Sequence, residues 1–208
     1  MSKAFIVTGT DTGIGKTTVA AMLTLALDGC YWKPIQSGIG DGTDRARVQA
    51  MTGLPEDRFL PERYILSEPL SPHRAAELDG TEIATDCLDL PQCARNLIIE
   101  GAGGLMVPVT RRRLLIDVFA AWSAPIILCA RTALGTINHT LLSIEALQRR
   151  NMLLHGLIFV GEENRDNIRT ILDFSGGRLL GHMPNLDLID RDALQRVFAG
   201  HFQTGDFT

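Results

Sequence analysis

Ala4-Phe5-Ile6-Val7-Thr8-Gly9-Thr10-Asp11-Thr12-Gly13-Ile14-Gly15-Lys16-Thr17-Thr18-Val19 decides how the rest of the 208-residue chain is read. A short apolar run gives way to a glycine-rich turn, and the turn runs straight into a helical pattern. Gly9, Gly13 and Gly15 let the backbone bend where a Cβ would clash, so several N–H groups face one point. The helix that follows aims its positive dipole end at the same point. Lys16 adds a full charge, and Thr17 brings a hydroxyl of the kind that binds a magnesium ion. Strand, glycines, Lys, Thr and helix in that order make a phosphate cradle. It is one residue longer than usual between its first glycine and Gly15-Lys16.

Working outward from the cradle, apolar residues at helical spacing (Val19, Met22, Leu23, Ala26) predict a helix over 17–27 that stops near Gly29. Residues 30–34 read as a second strand closed by Pro34. Residues 37–42 read as loop and 44–51 as a short helix with Asp44 in its first turn. Pro55, Pro61, Pro69 and Pro72 predict a long irregular crossing over 52–72, a kind of loop that is often functional. Residues 85–95 read as partly helical, broken at Pro91. A buried strand over 96–99 stops at Glu100, followed by a second glycine-rich loop at 101–104. Further helices are expected over 116–122, 137–150, 164–174 and 190–199, and further strands over 125–130, 153–160 and 179–183. Strands alternate with helices, and most strands are continuous apolar runs. That pattern predicts a single α/β domain over 1–208, doubly wound, with a mostly parallel sheet flanked by helices and a P-loop NTPase-like phosphate site. Ligands of such sheets lie beyond the carboxyl ends of the strands.

Composition narrows the partners. With 20 basic and 24 acidic residues the net charge is −4, which argues against nucleic acid or an anionic membrane as the main partner. No apolar run approaches the roughly 20 residues of a membrane span, and the start of the chain is too polar for a secretory leader. Cys30, Cys87, Cys93 and Cys129 form no Cys-x-x-Cys pair, which suits buried thiols in a reducing, cytoplasmic setting.

Four groups fall on the strand-end edge: the cradle, the Trp32-Lys33-Pro34-Ile35-Gln36-Ser37-Gly38 stretch, Asp44, and Glu100 with its glycines. Glu100 ends an apolar strand, where nucleotide-binding proteins put a magnesium-directed carboxylate. Taken singly, Asp44 also reads as a helix-cap carboxylate and Lys33 as a solvated surface lysine. The five histidines show no metal spacing and no obvious triad. Arg111-Arg112-Arg113 reads as a solvated basic loop that can also attract an anionic substrate.

Six stretches in order resemble the dethiobiotin synthetase family. They are Gly-Thr-Asp-Thr-x-x-Gly-Lys-Thr at 9–17, Lys-Pro-x-x-Ser-Gly at 33–38, Ser-Pro-His at 71–73, Glu-Gly-Ala-Gly-Gly at 100–104, Leu-Gly-Thr-Ile-Asn-His at 134–139 and Gly-x-x-Pro-x-Leu at 181–186. The resemblance implies a homodimer that uses ATP and Mg2+ to carboxylate 7,8-diaminopelargonic acid with CO2 and close its ureido ring. It implies that Lys16 holds phosphates and that Lys33 stabilises the carbamate and its phosphorylated form. Thr17, Asp44 and Glu100 are then the magnesium set. The nucleotide site implied comprises Gly13, Ile14, Gly15, Lys16, Thr17 and Thr18 of the cradle, Asp44, and Glu100, Gly101, Ala102 and Gly103, with Pro184, Asn185 and Leu186 toward the base. Thr12 and Ser37 are implied to contact substrate, and Gly135, Thr136, Ile137 and Asn138 to reach the neighbouring subunit's substrate. Val160 stands where the family usually ends that strand with an asparagine that holds adenine. A rival reading is a P-loop ATPase switch of the partition or positioning type, but those switches carry a lysine where this loop has Asp11. A cobyrinate-type amidotransferase would need a further glutaminase domain.

Overall fold

The computed structural model describes residues 3–207. In chain order the elements are β1 (Ala4–Gly9), α1 (Lys16–Ala26), β2 (Cys30–Trp32), β3 (Ile35–Ser37), α2 (Asp44–Thr52), β4 (Phe59–Leu60), β5 (Tyr64–Leu66), α3 (Pro72–Leu78), β6 (Leu97–Gly104), α4 (Leu115–Trp122), β7 (Ile126–Arg131), α5 (Thr136–Gln148), β8 (Leu154–Val160), α6 (Arg165–Ser175), β9 (Leu179–Met183) and α7 (Arg191–His201). Seven strands form one parallel sheet in the order β4-β2-β6-β1-β7-β8-β9, and β3 pairs with β5 in a separate two-stranded parallel sheet.

The central strands are apolar throughout because both their faces are covered. Successive side chains point to opposite faces, so Phe5 and Val7 enter one core and Ile6 the other. The first core is closed by α1, α2 and α7 through Val19, Leu23, Val48 and Leu194. The second is closed by α3, α4, α5 and α6 through Ala75, Phe119, Ile144 and Ile171. Phe119 lies fully buried under the sheet, and truncating it to alanine should cost about 3–5 kcal/mol. The doubly wound parallel architecture expected from the alternating pattern is therefore observed.

The chain reverses its winding at β1. After β2 and β4 it returns to lay β6 between β2 and β1, then crosses to β7 on the far side. The carboxyl ends of β2, β6, β1 and β7 thus open on one edge, where a crevice forms at such a switch point.

Several local expectations are corrected. Residues 101–104 are not loop: β6 continues through Gly104, which pairs with Gly9. Those glycines allow close approach to neighbours, since a Cβ on Gly101 would stand 2.8 Å from Phe119 Cζ. Residues 85–95 are not helical beyond a 3-10 turn at Thr85–Cys87; Pro91 removes a donor the helix would need. The proline-rich crossing over 52–72 contains β4 and β5, and α3 begins at its end with Pro72 at the first turn, a favoured place for proline. Strands of two and three residues are too short to show a period.

Candidate active site

At the end of β1 the backbone turns through Gly13 (φ 67°) and Gly15 (φ 91°), the left-handed region that glycine enters freely. A Cβ on Gly9 would meet Ile14 Cδ1 at 2.2 Å, and one on Gly15 would meet Val160 Cγ1 at 2.9 Å. Lys16 opens α1 from inside the turn. Its ammonium is buried and donates to the Asp11 carbonyl at 2.7 Å. Burial pushes the Lys16 pKa down, with the Glu100 carboxylate opposing.

Beside the cradle lies a buried charged cluster. Glu100 sits in the middle of β6, only 1% exposed. Its Oε1 accepts from the Thr17 hydroxyl at 2.8 Å and from Lys33 Nζ at 2.9 Å. Its Oε2 accepts from the Tyr31 hydroxyl at 2.8 Å. Lys33 follows β2 directly and also donates to Asp44 Oδ2. Burial alone drives the Lys33 pKa down, but Glu100 and then Asp44 outweigh it and the net shift is upward, so the amine stays charged. Burial, reinforced by Glu100, pushes the Tyr31 phenol well up, so it stays a donor. Asp44 is the first residue of α2, and the cap is Thr43, whose hydroxyl accepts from the Ala46 N–H. The Asp44 carboxylate is therefore not consumed by capping. Its own backbone N–H donates to the buried Gln36 amide oxygen at 3.0 Å.

Two clefts open on this edge and share Gly13 and Gly15. One, of about 680 Å³, is lined by Thr12, Lys16, Thr17, Lys33, Ser37, Asp44, Glu100, Ala102 and Gly103. The Ser37 hydroxyl is buried there with no hydrogen-bond partner among the described residues. The other, of about 880 Å³, runs past Ile14, Thr18, Arg131, Val160 and Glu162 to Pro184, Asn185 and Leu186. Of the expected site residues, Gly101 lines neither cleft and packs toward Phe119. Gly135, Thr136, Ile137 and Asn138 also line neither. Gly135 and Thr136 start α5, and Thr136 donates to the Arg131 carbonyl. Arg111 and Arg113 are tied to Glu77 and Asp86 in ion pairs and stand away from both clefts.

Three residues along this edge were not singled out by sequence. Tyr31 reads as an ordinary apolar strand residue. Gln36 lies inside a quoted motif but carries no chemistry alone. Arg131, at the end of β7, donates to the Thr12 carbonyl at 2.8 Å and approaches Asp11 at 3.9 Å.

A family model described as an AAA domain matches residues 3–193. The ATP-dependent dethiobiotin synthetase BioD of Rhodopseudomonas palustris (strain TIE-1) is 56% identical over 207 residues, covering 100% of this chain and 98% of that protein. The protein of the same name from Brucella anthropi is 52% identical, with coverage of 100% and 98%. This chain belongs to the ATP-dependent dethiobiotin synthetase family. Solved structures with the same fold include the MinC:MinD cell division complex of Aquifex aeolicus, with TM-score 0.54, 14% identity, 94% of this chain and 86% of that chain. A ParA family ATPase from Chlorobium tepidum TLS gives TM-score 0.52 at 14% identity, with coverage of 96% and 90%. At such identity those neighbours show the fold alone. Within the dethiobiotin synthetase family, the Asp11 side chain of this chain accepts from the Thr12 N–H at 2.7 Å and so shapes the turn. It occupies the position where partition switches are expected to carry a lysine.

Proposed function

We propose that this chain uses ATP to carboxylate 7,8-diaminopelargonic acid with CO2 and close the ureido ring, giving dethiobiotin, ADP and phosphate. The observation that carries the reading is the convergence of Lys16, Thr17, Lys33, Asp44 and Glu100 in the lining of one cleft in a chain of this family. One amine of the substrate adds to CO2 and loses a proton, forming a carbamate. The carbamate oxygen takes the terminal phosphoryl group of ATP. The second amine then attacks the carbamoyl carbon, the C–N bond forms and phosphate leaves. Every stage concentrates negative charge, and fixed cations and N–H dipoles in a cleft shielded from water stabilise it most. Lys16 and the N–H groups of the cradle hold the phosphates. Lys33 faces the carbamate, and Thr12 and the unpartnered Ser37 hydroxyl orient the substrate.

Thr17, Asp44 and Glu100 form an all-oxygen set of the kind magnesium takes. Two carboxylates already converge on one cation, the Lys33 ammonium, and the Thr17 hydroxyl touches the same Glu100 oxygen, so the residues fit the ion. Held by these three residues, Mg2+ would supply positive charge to the phosphate oxygens. The larger cleft suits the ribose and base, with Pro184, Asn185 and Leu186 at its far side.

A homodimer is supported by Gly135, Thr136, Ile137 and Asn138, which line neither cleft of their own chain, and by the exposed apolar side chains of Leu134 and Leu142 beside them. Their role is to reach the partner's substrate. Segments from β1 to α7 share the same two cores, which supports a single domain. The buried Cys30 and Cys129 fit a reducing cytoplasm; no helix among the described residues is long and apolar enough to cross a membrane. The test is phosphate release from ATP. Release that requires both diaminopelargonic acid and bicarbonate, with dethiobiotin formed in equal amount, supports the reading. Release with ATP alone at the same rate overturns it in favour of an ATPase switch.

A further inference from the structure

The Lys33 ammonium sits where a divalent cation held by Asp44 and Glu100 would sit. We propose that it is a built-in stand-in for that cation, that Mg2+ entry expels it, and that the expelled amine swings into the substrate cleft. Lys33 thus delivers its charge to the carbamate only after the metal is in place. The inference rests on the reading of Thr17, Asp44 and Glu100 as cation ligands.

The geometry carries it. Lys33 Nζ binds Asp44 Oδ2 and Glu100 Oε1 together, and Thr17 Oγ1 reaches that same Oε1. Mg2+ takes oxygens at about 2.0–2.1 Å, so an ion bonded to both carboxylate oxygens lies in the space that Nζ fills. Two cations cannot share it, because burial leaves their repulsion poorly screened.

Glu100 is the member that stays. Tyr31 holds its Oε2 at 2.8 Å, and the β6 backbone is locked between β2 and β1. Asp44 is anchored through its N–H to Gln36. Lys33 has a flexible four-carbon stem, and it lines the 680 Å³ cleft together with Thr12 and Ser37.

The stand-in also gives two closely placed carboxylates a shared cation when no metal is bound. An unpaired buried carboxylate is strongly destabilising, and Lys33 supplies the missing partner. The consequence is an order of addition. Before Mg2+ arrives, the amine is held by two carboxylates and is not offered to a carbamate.

The test is Mg2+ titration by calorimetry into nucleotide-free protein, for the unmodified chain, Lys33→Met and Glu100→Gln. Removing the competing ammonium should tighten Mg2+ binding by about tenfold or more, although the same substitution removes a catalytic residue. Equal or weaker binding by Lys33→Met overturns the proposal. Uptake by Glu100→Gln equal to that of the unmodified chain, or no uptake by any form, overturns the cation-ligand reading itself.

Lys33→Met removes the cation shared by two carboxylates, leaving Glu100 the Thr17 and Tyr31 hydroxyls and Asp44 the Arg47 guanidinium at 3.4 Å, and can fail to fold, so the unmodified chain gives a second readout. Lys33 is labelled by reductive methylation with and without saturating Mg2+ at matched ionic strength, and its peptide is quantified by mass spectrometry. Mg2+ should speed labelling of Lys33 several-fold while leaving Lys3 unchanged. Unchanged Lys33 labelling with Mg2+ bound overturns the proposal and leaves the cation-ligand reading standing.

Discussion

GTP and CTP should replace ATP with little loss, because the residue at the end of β8 cannot read a base. Val160 ends that strand with an apolar side chain packed toward Gly15 of the cradle. An asparagine there would both donate and accept; valine does neither. Several polar groups nearby are engaged. Asn164 Oδ1 caps α6 by accepting from the Asn167 N–H at 3.0 Å, Glu163 pairs with Arg165 at 3.2 Å, and the Met183 carbonyl accepts from the Gly161 N–H at 3.0 Å. The Gly161 carbonyl is taken by His182. With the asparagine amide absent, the expected discrimination is about one neutral hydrogen bond, ~0.5–1.5 kcal/mol, a preference for ATP of about tenfold or less. The assay is kcat/KM for the four nucleoside triphosphates under saturating diaminopelargonic acid and bicarbonate. Val160→Asn should raise the preference for ATP by about tenfold, one hydrogen bond's worth. A thousandfold preference for ATP in the unsubstituted protein would refute the reasoning. Adenine recognition would then be sought at Glu162 and at the Asn164 amide nitrogen.

Lys33→Gln should cut turnover by about a hundredfold or more while ATP affinity, carried by Lys16 and the cradle, holds within a few-fold; normal turnover with weakened ATP binding would assign Lys33 to the nucleotide instead. Tyr31→Phe leaves Glu100 Oε2 buried without its donor, which should cost about 1–3 kcal/mol and lower Tm by about 2–4 °C for each kcal/mol; an unchanged Tm would mean that water replaces the phenol. Light scattering should find a dimer at working concentration, and mixing Lys33→Gln protein with Asn138→Ala protein should restore activity above either alone, because each mixed dimer keeps one intact shared site. A fully active monomer would contradict the shared-site reading.

The cradle was legible in the sequence because every part of it is local. Glycines that free the backbone, the lysine and threonine that follow, and the helix that opens on them all lie within residues 9–26, and spacing alone brings them together. The parallel doubly wound sheet was legible for a similar reason: runs such as Ile126, Ile127, Leu128 and Cys129 are apolar on both faces, which only a strand covered on both sides requires. Tertiary structure alone decided how Tyr31, Lys33, Asp44 and Glu100 meet. The chain lays β6 against both β2 and β1, so residues 69 positions apart, Tyr31 and Glu100, share a hydrogen bond. No local pattern encodes that adjacency, because strand order depends on how the connections cross the sheet. The same holds for Gly101 to Gly104, whose composition says turn but whose neighbour, β1, offers a ladder that extends the strand. It also holds for Arg111, whose composition says solvated loop but whose guanidinium finds Glu77, 34 residues away. Residues close in sequence reveal their geometry through backbone preference; residues brought together by folding reveal it only when the sheet is assembled.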